Sequence, residues 1–488
     1  MDFDPASLPV QAGHFIGGRF VEDFGQQIAV SRPSDGRLQG YVRDAGADGV
    51  DAAVSAARAA YRTGGWGACP PRERGRIMRR FAELIEARTE ELALLEATTS
   101  TRIITETRQY DSIAAADIIR YCAEFADKID GEVTPTAGPA LNVVLNEPYG
   151  VVAAIIPWNF PVINAVQKLG PILAAGNAVV LKPSELSPFS TLWLASLANE
   201  AGFPAGTINV VNGYGATTGA ALVAHPGIRK VSFVGSGATG AIIMAQAARA
   251  GTKPVTLELG GKSPFVVFQD ADETGRIAQT LAASFLYNSG QVCVAGSRLV
   301  VARSRKDELL DRLNLILDGL KPGPTWDAST TLGPVISPQH ADRIEDLVRK
   351  TCSEGAILRR GGRRFDIGNG GTFFEPTVID QVTPEMSGFG EEFFGPVLCV
   401  QTVDDEAEAM SLADHPVFGL AGSIFTRDIG RAMSAARSLE AGVVWINTHG
   451  RGTDLGAPAG GYKGSGFGKD WGRHAIVEYL QQKSVWIS

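Results

Sequence analysis

The sequence predicts an α/β protein built on parallel sheets, and three observations carry that prediction. Short apolar runs alternate with longer amphipathic stretches: "GVVAAIIP", "VINAVQKLGPILAAG", "NAVVLKP", "FSTLWLASLANEAG", "TINVV", "TTGAALVAHPG", "RKVSFVGS" and "GAIIMAQAARA". That rhythm is the mark of βαβ units. The short runs are apolar throughout rather than at every second residue, as in strands covered on both faces. A second series of the same kind begins near "PFVVFQD" and runs through "AGSRLVVA", "GPVLCVQTV" and "GLAGSIFTRD" to "AGVVWIN".

Before the first series, residues 51–130 read as mostly helical. In "RERGRIMRRFAELIEARTEELALLEAT", Ile77, Phe81, Leu84, Leu92 and Leu95 fall near one face of an amphipathic helix. Two segments, "LNVVLNEP" and the tail "YLQQKSVWIS", look like strands that join neither series.

The chain has 488 residues, enough for two to four domains of about 150 each. With 44% hydrophobic and 20% charged residues it is an ordinary globular composition. A net charge of −8 argues against a nucleic-acid partner held by a broad basic surface. No apolar run is long enough to span a membrane, and "MDFDPASLPVQAGHF" lacks the basic start and apolar core of a secretory signal. The five cysteines (Cys69, Cys122, Cys293, Cys352, Cys399) are scattered and form no CxxC pair, which predicts no disulfide framework and a reducing, cytoplasmic setting. The six histidines show no ligand spacing, so no metal site is expected.

Six stretches are candidates for chemistry. "VSFVGSGATGAIIM" contains Gly235, Gly237 and Gly240 in GxGxxG spacing between a strand and a helix, the context of a pyrophosphate turn. A tight strand-to-helix turn needs glycine in any case. The acid about 20 residues on is Glu258 in "VTLELGGKSP"; its flanking glycines suit a catalytic turn as well as ribose binding. In "VVLKPSELSP", Lys182 and Glu185 follow a strand end, where ligands bind in open α/β sheets. A carboxylate there accepts both ribose hydroxyls and repels a 2′-phosphate; the plain alternative is a solvated loop. In "IIPWNFP", Asn159 sits in a Pro-bracketed turn, either as ordinary turn chemistry or as an amide donor to an oxyanion. "EEFFGPV" would ordinarily be a surface turn. Cys293, in "GQVCVAGSR", is either a small core residue or a nucleophile on a turn.

Taken in order, "PWNFP", "KPSE", "FVGSGATG", "LELGGKSP", "GQVCVAGSR", "EEFFGPV" and "GGYKGSGFG" resemble the aldehyde dehydrogenase superfamily, in its non-acylating NAD(P)-dependent branch. The resemblance runs from "FIGGRFV" to "EYLQQKSVW". It implies a Rossmann-like cofactor domain (1–125 and 149–258), a second α/β catalytic domain (259–460) and a small β oligomerisation arm (126–148 and 472–488).

The resemblance also assigns roles. Cys293 becomes the nucleophile, forming a thiohemiacetal and then a thioester. Asn159 and the Cys293 backbone N–H become the oxyanion donors, and Glu258 the base that activates water. Lys168 matches a family lysine lining the site. NAD is the expected cofactor. Lys182 and Glu185 are expected at its adenosine ribose, Gly235 and Ser236 at its pyrophosphate, and Glu392 and Phe394 at its nicotinamide end. Pro157 and Trp158 are expected on the same cofactor wall. A homodimer or homotetramer is implied, acting on a small aldehyde.

Departures from the family pattern lie in the substrate region. Asn164, Gln167 and Ala459, with His449, Arg451 and Asp454 in the loop before "GAPAGGYK", predict a polar or extended aldehyde. Buried amides are costly unless a substrate or water bonds them. A CoA-acylating semialdehyde dehydrogenase, a non-redox cysteine hydrolase and a non-catalytic binding protein are the competing readings. Glu258 favours water over CoA as acyl acceptor, because hydrolysis needs a base.

Overall fold

The computed structural model describes residues 3–450, 452 and 454–488. Its centre is an eight-stranded sheet with the order Arg19–Val21, His14–Ile16, Ile208–Val210, Ala178–Lys182, Val151–Ile155, Lys230–Val234, Val255–Glu258, Gly466–Phe467. The five inner strands are parallel, and the edges are antiparallel. By chain order those five read 3-2-1-4-5. The order therefore reverses between Val151–Ile155 and Lys230–Val234, and a crevice opens at such a point beyond the strands' carboxyl ends.

The unbroken apolar runs are explained by burial on both faces. Val152, Ala154, Val179 and Leu181 pack on one side with helices Pro71–Glu86, Ser112–Phe125 and Pro161–Ala174. Val151, Ala153, Ala178 and Val180 pack on the other with helices Gly46–Arg62 and Gly237–Arg249. Successive residues of a strand thus enter opposite cores.

The second series forms a seven-stranded sheet, ordered Ile357–Arg360, Thr377–Asp380, Val397–Val403, Arg298–Ala302, Pro264–Val267, Ala421–Phe425, Val443–Ile446. All of its pairings are parallel except the one made by Ile357–Arg360 at the edge. It too has a core on each face.

The two stray strands pair with each other. Leu141–Pro148 and Leu480–Ile487 run antiparallel from Leu480 opposite Pro148 to Ile487 opposite Leu141, and Glu132–Thr134 completes a three-stranded sheet. The long amphipathic stretch is two helices rather than one. The chain breaks at Arg88 (φ −125°, ψ 28°) between Pro71–Glu86 and Thr89–Thr99, and the five apolar residues named above are all buried. Among the described residues no helix is long and apolar enough to cross a membrane.

Candidate active site

The first sheet places its candidate groups at strand ends. After Val151–Ile155 the chain passes through Pro157 and Trp158 to Asn159, and then enters helix Pro161–Ala174. Buried Glu96 holds the start of that helix, its Oε1 accepting from the Val162 N–H at 3.1 Å. Such a carboxylate satisfies one of the donors every helix leaves exposed at its N-terminus. Asn159 is fixed at both ends. Its Nδ2 donates to the Gln291 carbonyl at 3.0 Å, and its own carbonyl accepts from Asn288 Nδ2 at 2.8 Å.

Those two partners belong to the turn that presents Cys293. Asn288 (φ 49°), Ser289 (φ 53°) and Gly290 (φ 74°) form a left-handed run, a strained conformation for the two non-glycine residues. Gln291 pins the next step: its side chain donates to the carbonyls of Asn288 and Pro334 and accepts from the Ile336 N–H. The turn therefore lies against Gly261, where a Cβ would stand 2.5 Å from the Cys293 carbonyl oxygen. Only glycine fits that approach.

Cys293 lies between Gln291 and Ala295, both buried, and is itself partly covered. Burial pushes its thiol up to about 12, and the carboxylates of Glu258 and Glu392 push in the same direction. The backbone N–H groups of Val294 and of Cys293 itself oppose this by favouring the thiolate. Glu258 closes strand Val255–Glu258, and its Oε1 lies against Gly460.

Lys168 is fully buried on helix Pro161–Ala174. Burial disfavours its charge, but Asp470 at 2.6 Å, with Tyr479 and Glu258, outweighs that and holds its pKa above the ordinary lysine value. The same Asp470 oxygen accepts from Gln167 Nε2 at 2.7 Å. Asp470 was not singled out from the sequence, where it is one acid in "GKDWG" with no partner nearby in the chain.

On the neighbouring side, Glu392 accepts from the Gly261 N–H at 3.0 Å, and burial pushes its carboxyl up to about 7. Phe394 (φ 54°) and Trp158 stand edge to face, 5.4 Å between centroids. His340 joins them, its Nε2–H donating to the Phe394 carbonyl at 2.7 Å. Burial lowers that imidazole to about 4, so it is neutral. Further along the same strand ends, Lys182 Nζ donates to the Pro183 carbonyl and lies 3.9 Å from Glu185. Burial depresses its pKa.

The three glycines of the turn after Lys230–Val234 divide by function. A Cβ at Gly235 would strike the Phe233 ring, and one at Gly240 would strike Leu259, so these two serve packing. Gly237 has nothing within 4 Å and opens outward at the start of its helix, where Ser236 Oγ accepts from the Thr239 N–H. No protein atom demands glycine there; a closely approaching ligand would.

Three substrate-region expectations change. Asn164 and Gln167 do not wait for a substrate, since Asn164 Nδ2 donates to Asn159 Oδ1 at 3.4 Å and Gln167 donates to Asp470. His449 offers no charge to an anionic tail: it bonds Ser423, packs at a tilt against Trp445, and burial lowers it to about 4. Asp454 is exposed, and Arg451 lies outside the described residues. A cleft beside Gln167 is instead lined by Ile118, Tyr121, Pro171, Leu455 and Trp471. Among the described residues no cluster of His, Cys, Asp and Glu is placed to hold a metal.

The profile described as "Aldehyde dehydrogenase family" matches residues 20–485. The chain belongs to the aldehyde dehydrogenase family. Its reaction is accordingly the oxidation of an aldehyde to the carboxylic acid. Among its relatives is the NADP/NAD-dependent aldehyde dehydrogenase PuuC of Escherichia coli (strain K12), 42% identical over 90% of this chain and 88% of that protein. An indole-3-acetaldehyde dehydrogenase solved in complex with NAD+ superposes with a TM-score of 0.96 at 40% identity, covering 99% of this chain and 98% of the other. The aldehyde dehydrogenase KauB from Pseudomonas aeruginosa superposes with a TM-score of 0.95 at 40% identity, covering 98% and 97%.

Proposed function

We propose that this aldehyde dehydrogenase uses Cys293 as nucleophile, Asn159 and the Cys293 N–H as oxyanion donors, and Glu258 as the base for hydrolysis, with NAD as cofactor. The observation that carries the reading is the meeting of Asn159 and the Cys293 turn, which come from different sheets and are joined by Asn159–Gln291 and Asn288–Asn159 hydrogen bonds. An amide nitrogen has two hydrogens. Gln291 takes one, and the other serves the oxyanion as the thiol adds to the carbonyl. Glu258, whose charge reaches both Cys293 and Lys168, takes the proton of the water that cleaves the thioester. A cysteine hydrolase would have no use for the cofactor groups, and a CoA-acylating enzyme none for that base.

The residues present fit NAD. The open Gly237 turn and Ser236 would take the pyrophosphate, Lys182 and Glu185 the adenosine ribose, and Glu392 with Phe394 and Trp158 the nicotinamide end. NAD, when bound, supplies the hydride acceptor. Glu185 beside Lys182 disfavours a 2′-phosphate, which supports NAD over NADP.

The substrate reading is an extended aldehyde whose tail reaches the apolar cleft by Gln167. The three-stranded sheet leaves Val133, Leu141, Leu145, Trp486 and Ile487 exposed, which supports a second subunit against it and a dimer or larger assembly. Light scattering showing a monomer at micromolar concentration would refute that.

The test of the chemistry is a pair of variants. C293A should bind NAD as the wild type does and produce no NADH from any aldehyde. E258Q should give one fast turnover and then a slow steady state as thioester accumulates. Turnover by C293A, or an unchanged steady state in E258Q, would overturn the assignment.

A further inference from the structure

We infer that Arg102 is a positioning residue for the oxyanion pair: its guanidinium, packed against the side of the stacked Phe160 and Tyr287 rings and hydrogen-bonded to the Tyr287 hydroxyl, holds the Cys293 turn in register with Asn159. This rests on the proposed roles of Asn159 and Cys293. Arg102 has no exposed surface, and it lies outside the family strings that identify the site. Its Cζ is 4.3 Å from the ring centroids of both Phe160 and Tyr287, which face each other at 5.8 Å and 27°. Phe160 follows Asn159 directly, and Tyr287 begins the turn to Cys293.

The contact is directional. Arg102 Nε and Nη2 donate to the two oxygens of Asp111 at 2.7 and 3.1 Å, Nη1 to Glu106 at 2.5 Å, and Nη2 to the Tyr287 hydroxyl at 2.6 Å. Asp111 and Glu106 thus fix the plane of the fork, and the fork fixes Tyr287. The adjacent residue makes the second tie, with Thr101 Oγ1 donating to Asn288 Oδ1 at 2.7 Å. Asn288 in turn donates to the Asn159 carbonyl. The segment 101–102 therefore holds the Cys293 turn by a ring and by an amide, and reaches Asn159 through both.

Arginine is required for this geometry. A lysine would keep the charge but has no planar fork to meet Asp111 in two places while also reaching Glu106 and the Tyr287 hydroxyl. A buried ion pair is also a poor way to gain stability alone, because desolvation offsets much of its attraction. Its use here is orientation. An oxyanion donor moved from its place loses part of the factor of about 10² to 10³ that one such donor contributes.

The experiment is a double-mutant cycle on single-turnover NADH formation, with NAD affinity measured alongside. R102K should slow the first turnover about tenfold or more while NAD affinity stays within about twofold. T101V should slow it less, by about threefold. In the N159A background both substitutions should have almost no further effect, because the group they position is gone. If R102K and T101V cost the same factor with and without Asn159, the effect is on general stability and the inference is overturned. If N159A alone turns over at the wild-type rate, the role of Asn159 fails first, and the inference with it. Should R102K not fold, T101V and Y287F, which each remove one hydrogen bond and little else, carry the same cycle.

Discussion

The Cys293 thiol should be unreactive in the cofactor-free enzyme, and the size of the effect follows from its surroundings. Burial raises its pKa to about 12, with the Glu258 and Glu392 carboxylates adding to the shift. At pH of about 7.5, roughly one thiol in thirty thousand would then be ionised, against about one in ten for an ordinary cysteine near pKa 8.5. A more basic thiolate is a better nucleophile, and a Brønsted slope of about 0.4–0.5 recovers nearly half of those three and a half logarithmic units. Alkylation of Cys293 by iodoacetamide should therefore run about a hundredfold slower than that of free cysteine. Its logarithm should rise with unit slope from about pH 7 to about pH 9.5, because the titration lies above that range. E258Q removes one of the opposing charges; a one-unit fall in pKa gives about tenfold more thiolate, each less nucleophilic, so alkylation should speed by about three- to fourfold. The assay is mass-spectrometric labelling resolved at each of the five cysteines. A plateau below pH of about 9, or slower labelling of Cys293 in E258Q, would refute the electrostatic account.

Further outcomes follow from the same packing. D470A strands the Lys168 ammonium among buried groups, so it should cost about 3–5 kcal/mol in denaturant unfolding, against less than about 1 kcal/mol for E147A at the exposed Lys483 pair; equal losses would refute the buried-pair reading. Burial raises Glu96 to about 7 in the fold, so its protonated form stabilises the protein below pH of about 4.5, and that contribution is lost as pH rises through 7. The melting temperature of E96Q relative to wild type should accordingly rise between those limits, and a flat difference would refute it. A459F should narrow the approach and lower kcat/KM for bulky aldehydes at least tenfold relative to acetaldehyde, about 1.4 kcal/mol in transition-state binding. No change in that ratio would place Ala459 away from the substrate path.

What was legible in the chain depended on whether the informative contacts were local. The strands could be read because burial on both faces writes itself as an unbroken apolar run, as at Val151–Ile155 and Ala178–Lys182. Asn159, Glu258 and Cys293 could be picked out because each lies in a short stretch of glycine and proline after or before such a run. The break at Arg88 could not be read, since the apolar spacing continues across it with both helices facing one core. Nor could the pairing of Leu141–Pro148 with Leu480–Ile487, whose partners are more than 330 residues apart and whose own patterns show only that each is a strand.

The substrate region shows the same division acting within one site. Counting amides at 164 and 167 in the sequence treats each as a polar group in search of a ligand. In the fold, Asp470 stands beside Gln167 and Asn159 beside Asn164, so both amides find protein partners. A side chain that looks like a specificity element can therefore be part of the support for catalysis. Gln167 orients the carboxylate that keeps Lys168 charged, and Lys168 bears on Glu258. The walls with no such duty, Ile118, Tyr121, Leu455 and Trp471, are apolar or aromatic. On the proposed extended-aldehyde reading, the tail of the substrate, rather than a charge on it, is then what this cleft would select.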